Sequence, residues 1–376
     1  MILKPDCRHF PGDRPCVFNK KDGVTCDRCP HYETAASRIL IVKLDAVGDV
    51  LRTTCILHGL HETYPGCEIT WITRAGALPL FENNGMVHRV FAYESTEAVL
   101  RVIAEEFDLV INLDAAPDSA VLASGVKGKQ KLGYGLDPRG HVYPFNREAE
   151  HWLEMGAFDQ VKKQNTRSYQ DLMLAMCRLT TAHKEIVLRL TDRELAFAAE
   201  FAGRHRINPN KPVIGMNTGA SGRWQYKQWT LEGYEALVQE LLARTDATIL
   251  LYGGPLERER NDRLRSIHPM RVLDTGTSNT LRQFFALVTL SDLFVTGDTL
   301  ALHVATALGK KVVAYFGPTS GAEIDSYGGQ IVKVQSDLDC LVCYKPRCDF
   351  DPNCMSSIAP EKMLKMVMEA LKSVQQ

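Results

Sequence analysis

The chain has 376 residues, 45% of them hydrophobic, which is enough apolar material for more than one core and leads us to expect two domains. Its formal net charge is -1, and basic and acidic residues are interspersed rather than blocked, so it lacks the electrostatic footprint of a nucleic-acid binder. No apolar run approaches bilayer length and the opening Met1-Ile2-Leu3-Lys4-Pro5 does not read as a secretory signal, which points to a cytoplasmic location.

The 11 cysteines are unevenly placed. Cys55, Cys67 and Cys177 are scattered and read as small buried hydrophobes. The others form two groups at the chain ends: Cys7, Cys16, Cys26 and Cys29 near the start, and Cys340, Cys343, Cys348 and Cys354 near the end. Each group holds a C-x2-C pair, which lets two thiolates reach one ion from a tight turn. In a reducing compartment that spacing favours a structural zinc or an iron–sulfur cluster over disulfides, with His9 and His31 as substitute ligands. Surface thiols or redox-formed disulfides are the plainer alternative.

Beyond the cysteine-bearing head, 37–44 reads as an apolar strand that runs into D-A-V-G-D-V-L-R-T-T, where Asp45, Gly48 and Asp49 make the turn and a helix continues to about residue 64. The outline is that of a nucleotide-binding fold without the G-x-G-x-x-G glycines. It leaves a carboxylate, Asp49, at the top of a sheet beside a glycine that permits a sharp turn. Strands over 68–73, 89–91 and 109–113 and a helix over 97–106 continue an α/β series. The stretch 132–167 is less regular, and its aromatics, with Tyr134, Tyr143 and Trp152 among them and Tyr169 just past its end, suit the wall of a sugar pocket or an ordinary loop over the core. A helix over 168–179, a strand over 184–190 and a charged helix over 192–206 lead to the break N-P-N-K-P, the best domain boundary in the chain.

The second half restarts the pattern. A strand at 213–216 precedes N-T-G-A-S-G-R-W-Q-Y-K-Q-W-T, a loop of small residues, including Thr218 and Gly219, followed by Arg223 and Lys227 and suited to phosphate oxygens, although it lacks P-loop spacing. The next strand, 247–252, ends at Gly253-Gly254-Pro255, and Glu257 beyond it stands where an acidic side chain bonds ribose or merely complements a helix dipole. Residues 297–318, G-D-T-L-A-L-H-V-A-T-A-L-G-K-K-V-V-A-Y-F-G-P, form a loop, helix and strand in which Asp298, Thr299 and His303 occupy the first turn, where a diphosphate would be gripped. A helix cap and a packed histidine explain the same residues structurally.

Taken together, K-L-D-A-V-G-D-V-L-R-T-T, N-T-G-A with Lys227-Gln228-Trp229, G-G-P, G-D-T-L-A-L-H-V-A-T-A-L-G and F-G-P-T resemble glycosyltransferase family 9, the heptosyltransferases of bacterial lipopolysaccharide core synthesis, in order and spacing from Arg38 to the C-terminal helix. The resemblance implies a GT-B architecture: α/β, with two Rossmann-like domains facing across a cleft. The expected parts are a cysteine-rich segment (1–36), an acceptor domain (37–207), a nucleotide-sugar domain (208–338), and a cysteine-rich segment with a helix over 359–374 that packs back on the first domain (339–376). It implies inverting transfer without a catalytic metal, with Asp49 as general base, Lys227 at the diphosphate, Glu257 at the ribose, and Thr218, Gly219, Gly253, Asp298, Thr299 and His303 around the nucleotide sugar. ADP-heptose is the implied donor, a saccharide or lipid-linked glycan the acceptor, and the cytoplasmic face of the inner membrane a place of peripheral contact. Leu300 stands where family members often carry glycine, and the N-terminal cysteine group is absent from the core-building enzymes. A nucleotide-sugar epimerase or hydrolase on the same scaffold, and an inactive metal-bearing binding protein, are the competing readings.

Overall fold

A computed structural model describes residues 2–220 and 222–374, without the side chains of 223–225, so that of Arg223 lies outside the described residues. Two six-stranded sheets carry the architecture. The first runs β3-β2-β1-β4-β5-β6 and comprises β1 (Arg38–Val42), β2 (Glu68–Thr73), β3 (Arg89–Ala92), β4 (Glu106–Asn112), β5 (Lys127–Leu136) and β6 (Val142–Pro144). It is parallel apart from the β5–β6 pair. The second runs β12-β11-β10-β7-β8-β9 and is parallel throughout, from β7 (Val213–Asn217), β8 (Thr248–Tyr252), β9 (Val272–Asp274), β10 (Leu293–Gly297), β11 (Lys311–Phe316) and β12 (Ile331–Gln335). All of β7 and β10 and four of the five residues of β1 are buried, as expected of parallel strands covered by helices on both faces. Each sheet reverses its winding once, between β1 and β4 and between β10 and β7, and the loops at such switch points are where open α/β sheets hold ligands.

One apolar cluster runs from Ile39 and Trp71 in the first lobe to Phe285 and Leu302 in the second, so the lobes share a core. The Val47–Thr53 helix meets the Leu300–Ala307 helix, and the Asp192–Arg204 helix meets the Leu281–Val288 helix. Arg282 adds a polar bolt: its guanidinium binds both carboxylate oxygens of Glu194 at 2.5 and 2.6 Å and donates to the carbonyls of Arg189 and Pro79.

Several expectations change. The single helix expected after Asp49 breaks at Thr54, whose hydroxyl turns to the carbonyl of Leu51 and accepts from Val187 N. Residues 184–190 are extended chain outside both sheets. The irregular stretch contains the end of β5, β6, a 3-10 turn and two short α-helices. Two of the aromatics belong to the core, since buried Tyr134 donates to Ala149 O and buried Tyr169 shares a hydrogen bond with Thr53 Oγ1, whereas Tyr143 is exposed and neither it nor Trp152 lines the cleft. The C-terminal helix, Pro360–Val374, does not pack back on the first lobe. It buries Met363, Leu364, Val367 and Leu371 in the cluster of the second sheet, where Trp229 Nε1 donates to Ile358 O. Its apolar stripe needs a matching surface, and the Leu231–Arg244 helix with β10 to β12 supplies it.

Candidate active site

The loops at the two switch points enclose a cleft of about 860 Å³ lined from both lobes. The first lobe brings residues 46–49 and Arg52; the second brings Asn217, Gly219, Lys227, Glu257, Asp298, Thr299 and His303. The two sides touch at Gly48, where an added Cβ would lie 3.3 Å from His303 Cδ2 and 3.4 Å from Leu300 Cα. Gly48 has no left-handed φ, so close approach of two helices, not a sharp turn, explains the glycine. Leu300, the departure from the family pattern, lies against that glycine.

Asp49 stands in the first turn of its helix, with 39% of its side chain open to the cleft, and pairs with Arg52 Nη2 at 2.7 Å. Burial pushes its pKa up, but Arg52 and Lys43 more than offset this and hold it below the ordinary carboxylate value. Arg52 in turn lies over the Tyr169 ring, 3.7 Å from its centroid.

On the facing side Lys227 Nζ donates to Asp298 Oδ2 at 3.0 Å and to Asp298 O at 3.2 Å. Burial works upward on Asp298 as well, yet the Lys227 charge brings it down to about 2. Thr299 caps the Leu300–Ala307 helix through its hydroxyl, which accepts from Ala301 N. His303 is buried in that helix; desolvation, reinforced by Arg52, lowers its pKa to about 4, so at neutral pH the ring is uncharged. Gly297 is required because a Cβ there would sit 2.6 Å from Lys227 O.

Glu257 closes the other end. Its carboxylate accepts from Gly254 N at 2.8 Å and Gln228 Nε2 at 3.1 Å. A Cβ on Gly219 would lie 2.5 Å from Glu257 Cδ, and one on Gly253 would lie 2.6 Å from its Cβ, so both glycines make room for this side chain. Thr218 is the exception among the expected contacts. It is fully buried, donates to Asn261 Oδ1 at 2.6 Å, and buttresses the loop from behind instead of lining the cleft. Sequence reading passed over Arg52, Glu323 and Tyr344, all of which line the cleft. The i, i+3 spacing of Arg52 from Asp49 and the position of Glu323 after the F-G-P-T strand end were the available signals.

All eleven cysteines are free thiols. Cys7, Cys16, Cys26 and Cys29, with His9 and His31, line a single cavity of about 360 Å³ in the head. Cys340, Cys343 and Cys348 are near enough to Cys354 to raise its pKa beyond the effect of burial. The two groups do not share that cavity, and among the described residues no three His, Cys, Asp or Glu side chains converge as ligands.

The family model described as glycosyltransferase family 9 (heptosyltransferase) matches residues 98–353. The chain is 23% identical over 298 residues to the lipopolysaccharide core heptosyltransferase OpsX of Haemophilus influenzae, covering 76% of this chain and 81% of that one. Its fold is similar to a glycosyltransferase family 9 structure from Veillonella parvula, with a TM-score of 0.72 at 19% identity, over 91% of this chain and 98% of that chain. It is similar, too, to the dodecameric iron-containing heptosyltransferase TibC of enterotoxigenic E. coli in complex with ADP-D-beta-D-heptose, with a TM-score of 0.57 at 11% identity, over 91% and 79% of the two chains. By a match over more than half its length, and with two Rossmann-like lobes closing on one cleft, the chain belongs to glycosyltransferase family 9 and is a glycosyltransferase of GT-B architecture.

Proposed function

We propose that the protein transfers a heptose from ADP-heptose, with inversion, to a hydroxyl of a lipopolysaccharide or related glycan. The observation that carries this reading is the convergence of Asp49 from one lobe with Lys227, Asp298 and His303 from the other on one cleft. The kinds of protein it resembles, a lipopolysaccharide core heptosyltransferase and a heptosyltransferase with ADP-heptose bound, support the sugar and the nucleotide.

In this mechanism the acceptor oxygen attacks C1 of the sugar as Asp49 takes its proton, and the bond from C1 to the diphosphate oxygen breaks. Asp49 is ionised at neutral pH and so can accept the proton. Charge gathers on the departing diphosphate, where Lys227 and the N–H groups opening the Leu300–Ala307 helix can stabilise it. Glu257 and the small residues around it suit the ribose end, and neutral His303 suits hydrogen bonding in the middle. No step calls for a cofactor.

The cysteine groups have the donor chemistry of structural metal sites, Cys7, Cys16, Cys26 and Cys29 in the head and Cys340, Cys343, Cys348 and Cys354 near the end, and their thiols would have to draw together to close around zinc or an iron–sulfur centre. The iron of TibC supports metal in this fold. A bound ion would tie each loop-rich segment to itself, with no part in the reaction. Among the described residues no helix is long and apolar enough to cross a membrane, and we place the protein in the cytoplasm, in peripheral contact with the inner membrane where a lipid-linked acceptor is presented.

The test is a thermal-shift screen of nucleotide sugars, followed by acceptor-dependent release of the nucleoside diphosphate. ADP-heptose should give the largest shift. Release of free sugar with no acceptor present would favour a hydrolase instead.

A further inference from the structure

We propose that Glu323, held in place by Tyr344 of the cysteine-bearing segment, determines specificity for the sugar of the donor. The inference rests on the transferase reading above and assigns a role to a part of the chain that lies outside both sheets.

Residues 340–354 turn back on the loop that follows β11. Val342 N donates to Gly317 O at 2.9 Å and Tyr344 N to Pro318 O at 2.8 Å. Gly317 allows this approach, because a Cβ there would lie 2.5 Å from Cys354 Sγ and 2.4 Å from Met355 Cε. Val342 and Tyr344 both adopt left-handed backbone, with φ of 60° and 51°, which side chains larger than glycine take only where the surroundings hold them. The result is that Tyr344, next to Cys343 in sequence, lines the cleft.

There its hydroxyl donates to Glu323 Oε1 at 2.7 Å and accepts from Ser320 N at 3.3 Å. The first lobe holds the same ring from outside, with Lys162 Nζ 4.1 Å from its centroid. Glu323 is thus fixed by a partner that is itself fixed on both sides. Among the described residues Tyr344 engages Oε1 of this carboxylate, which leaves Oε2 as the oxygen for a ligand hydroxyl.

Position along the cleft selects the ligand. Glu257 marks the nucleoside end and the Lys227–Asp298 pair the diphosphate. Glu323 lines the cleft within electrostatic reach of Asp298, Lys162 and Arg52, the last of which pairs with Asp49. The bond that breaks lies between the diphosphate and the sugar, next to the proposed base, so a carboxylate beside the Asp49–Arg52 pair is on hand for the sugar. A carboxyl group in a confined pocket accepts from hydroxyls, and a site built around such a bond discriminates against sugars whose hydroxyl points elsewhere.

The experiment compares ADP with ADP-heptose by calorimetry on the full chain, for wild type, Glu323→Gln, Glu323→Ala and Tyr344→Phe. ADP affinity should stay within about twofold, ADP-heptose affinity should fall about tenfold in Glu323→Ala and less in Glu323→Gln, and KM for the nucleotide sugar should rise more than kcat falls. Tyr344→Phe keeps the ring under Lys162 and should give an intermediate loss, which keeps the test readable if Glu323→Ala does not fold. Equal losses for ADP and ADP-heptose, or no loss for either, would overturn the proposal. A wild-type chain that binds neither ligand would overturn the transferase reading, and this inference with it.

Discussion

Asp49 and Arg52 sit one helical turn apart and form an ion pair, so the proposed base is both oriented and kept ionised. Replacing Asp49 with alanine should lower kcat roughly 100- to 10,000-fold while ADP affinity is unchanged, as read by single-turnover transfer and calorimetry. Full activity in that variant would remove Asp49 from the mechanism. His303 supplies a pH signature. Its pKa is 6.5 in an exposed chain and about 4 in the fold, so the unfolded form takes up a proton that the native form refuses. This group therefore leaves native stability untouched above pH 6.5 and erodes it progressively as the pH falls toward 4. Melting temperatures across this window should fall more steeply for wild type than for His303→Gln, and parallel curves would contradict the assignment.

At the level of elements, the site depends on loops that approach more closely than side chains allow. β10 ends at Gly297, and the carbonyl of Lys227 occupies the space a Cβ would need. Gly297→Ala must therefore move backbone, with an expected loss of about 1–3 kcal/mol in stability and a larger loss in ADP affinity as Lys227 is displaced. Denaturant melts and calorimetry would separate the two effects. Unchanged binding would show that Lys227 reaches the diphosphate independently of that loop. Gly48 was recognisable in the sequence as special, but for the wrong reason: what crowds a side chain there is a helix some 250 residues away. No local pattern encodes that contact.

For the whole molecule, the two lobes are joined by a shared core and by Arg282 buried against Glu194. Cutting this pair with Arg282→Met leaves a carboxylate without its partner and should destabilise the protein by roughly 3–5 kcal/mol, seen as a lower urea midpoint. Loss of less than a tenth of that would mean the apolar contacts alone hold the lobes. The cysteine segments make a separate prediction. Purified protein should carry stoichiometric metal, colourless if zinc and coloured if iron, and a chelator should lower its melting temperature. Absence of metal by elemental analysis would refute that part of the proposal.

The α/β alternation and all but one of the proposed site residues were legible in the chain, because buried parallel strands are continuous apolar runs and the ligand loops follow them directly. Asp49, Lys227, Glu257 and Asp298 could be picked out for that reason. Thr218 could not be told from its neighbours, since one residue of register decides whether a loop side chain faces the cleft or, as here, Asn261. The aromatics Tyr134 and Tyr169, the seat of the C-terminal helix, and the arrival of Tyr344 beside Glu323 were settled only in three dimensions. Short-range pattern sets which elements form; which surfaces meet depends on burying stripes and filling volumes contributed by distant parts of the chain.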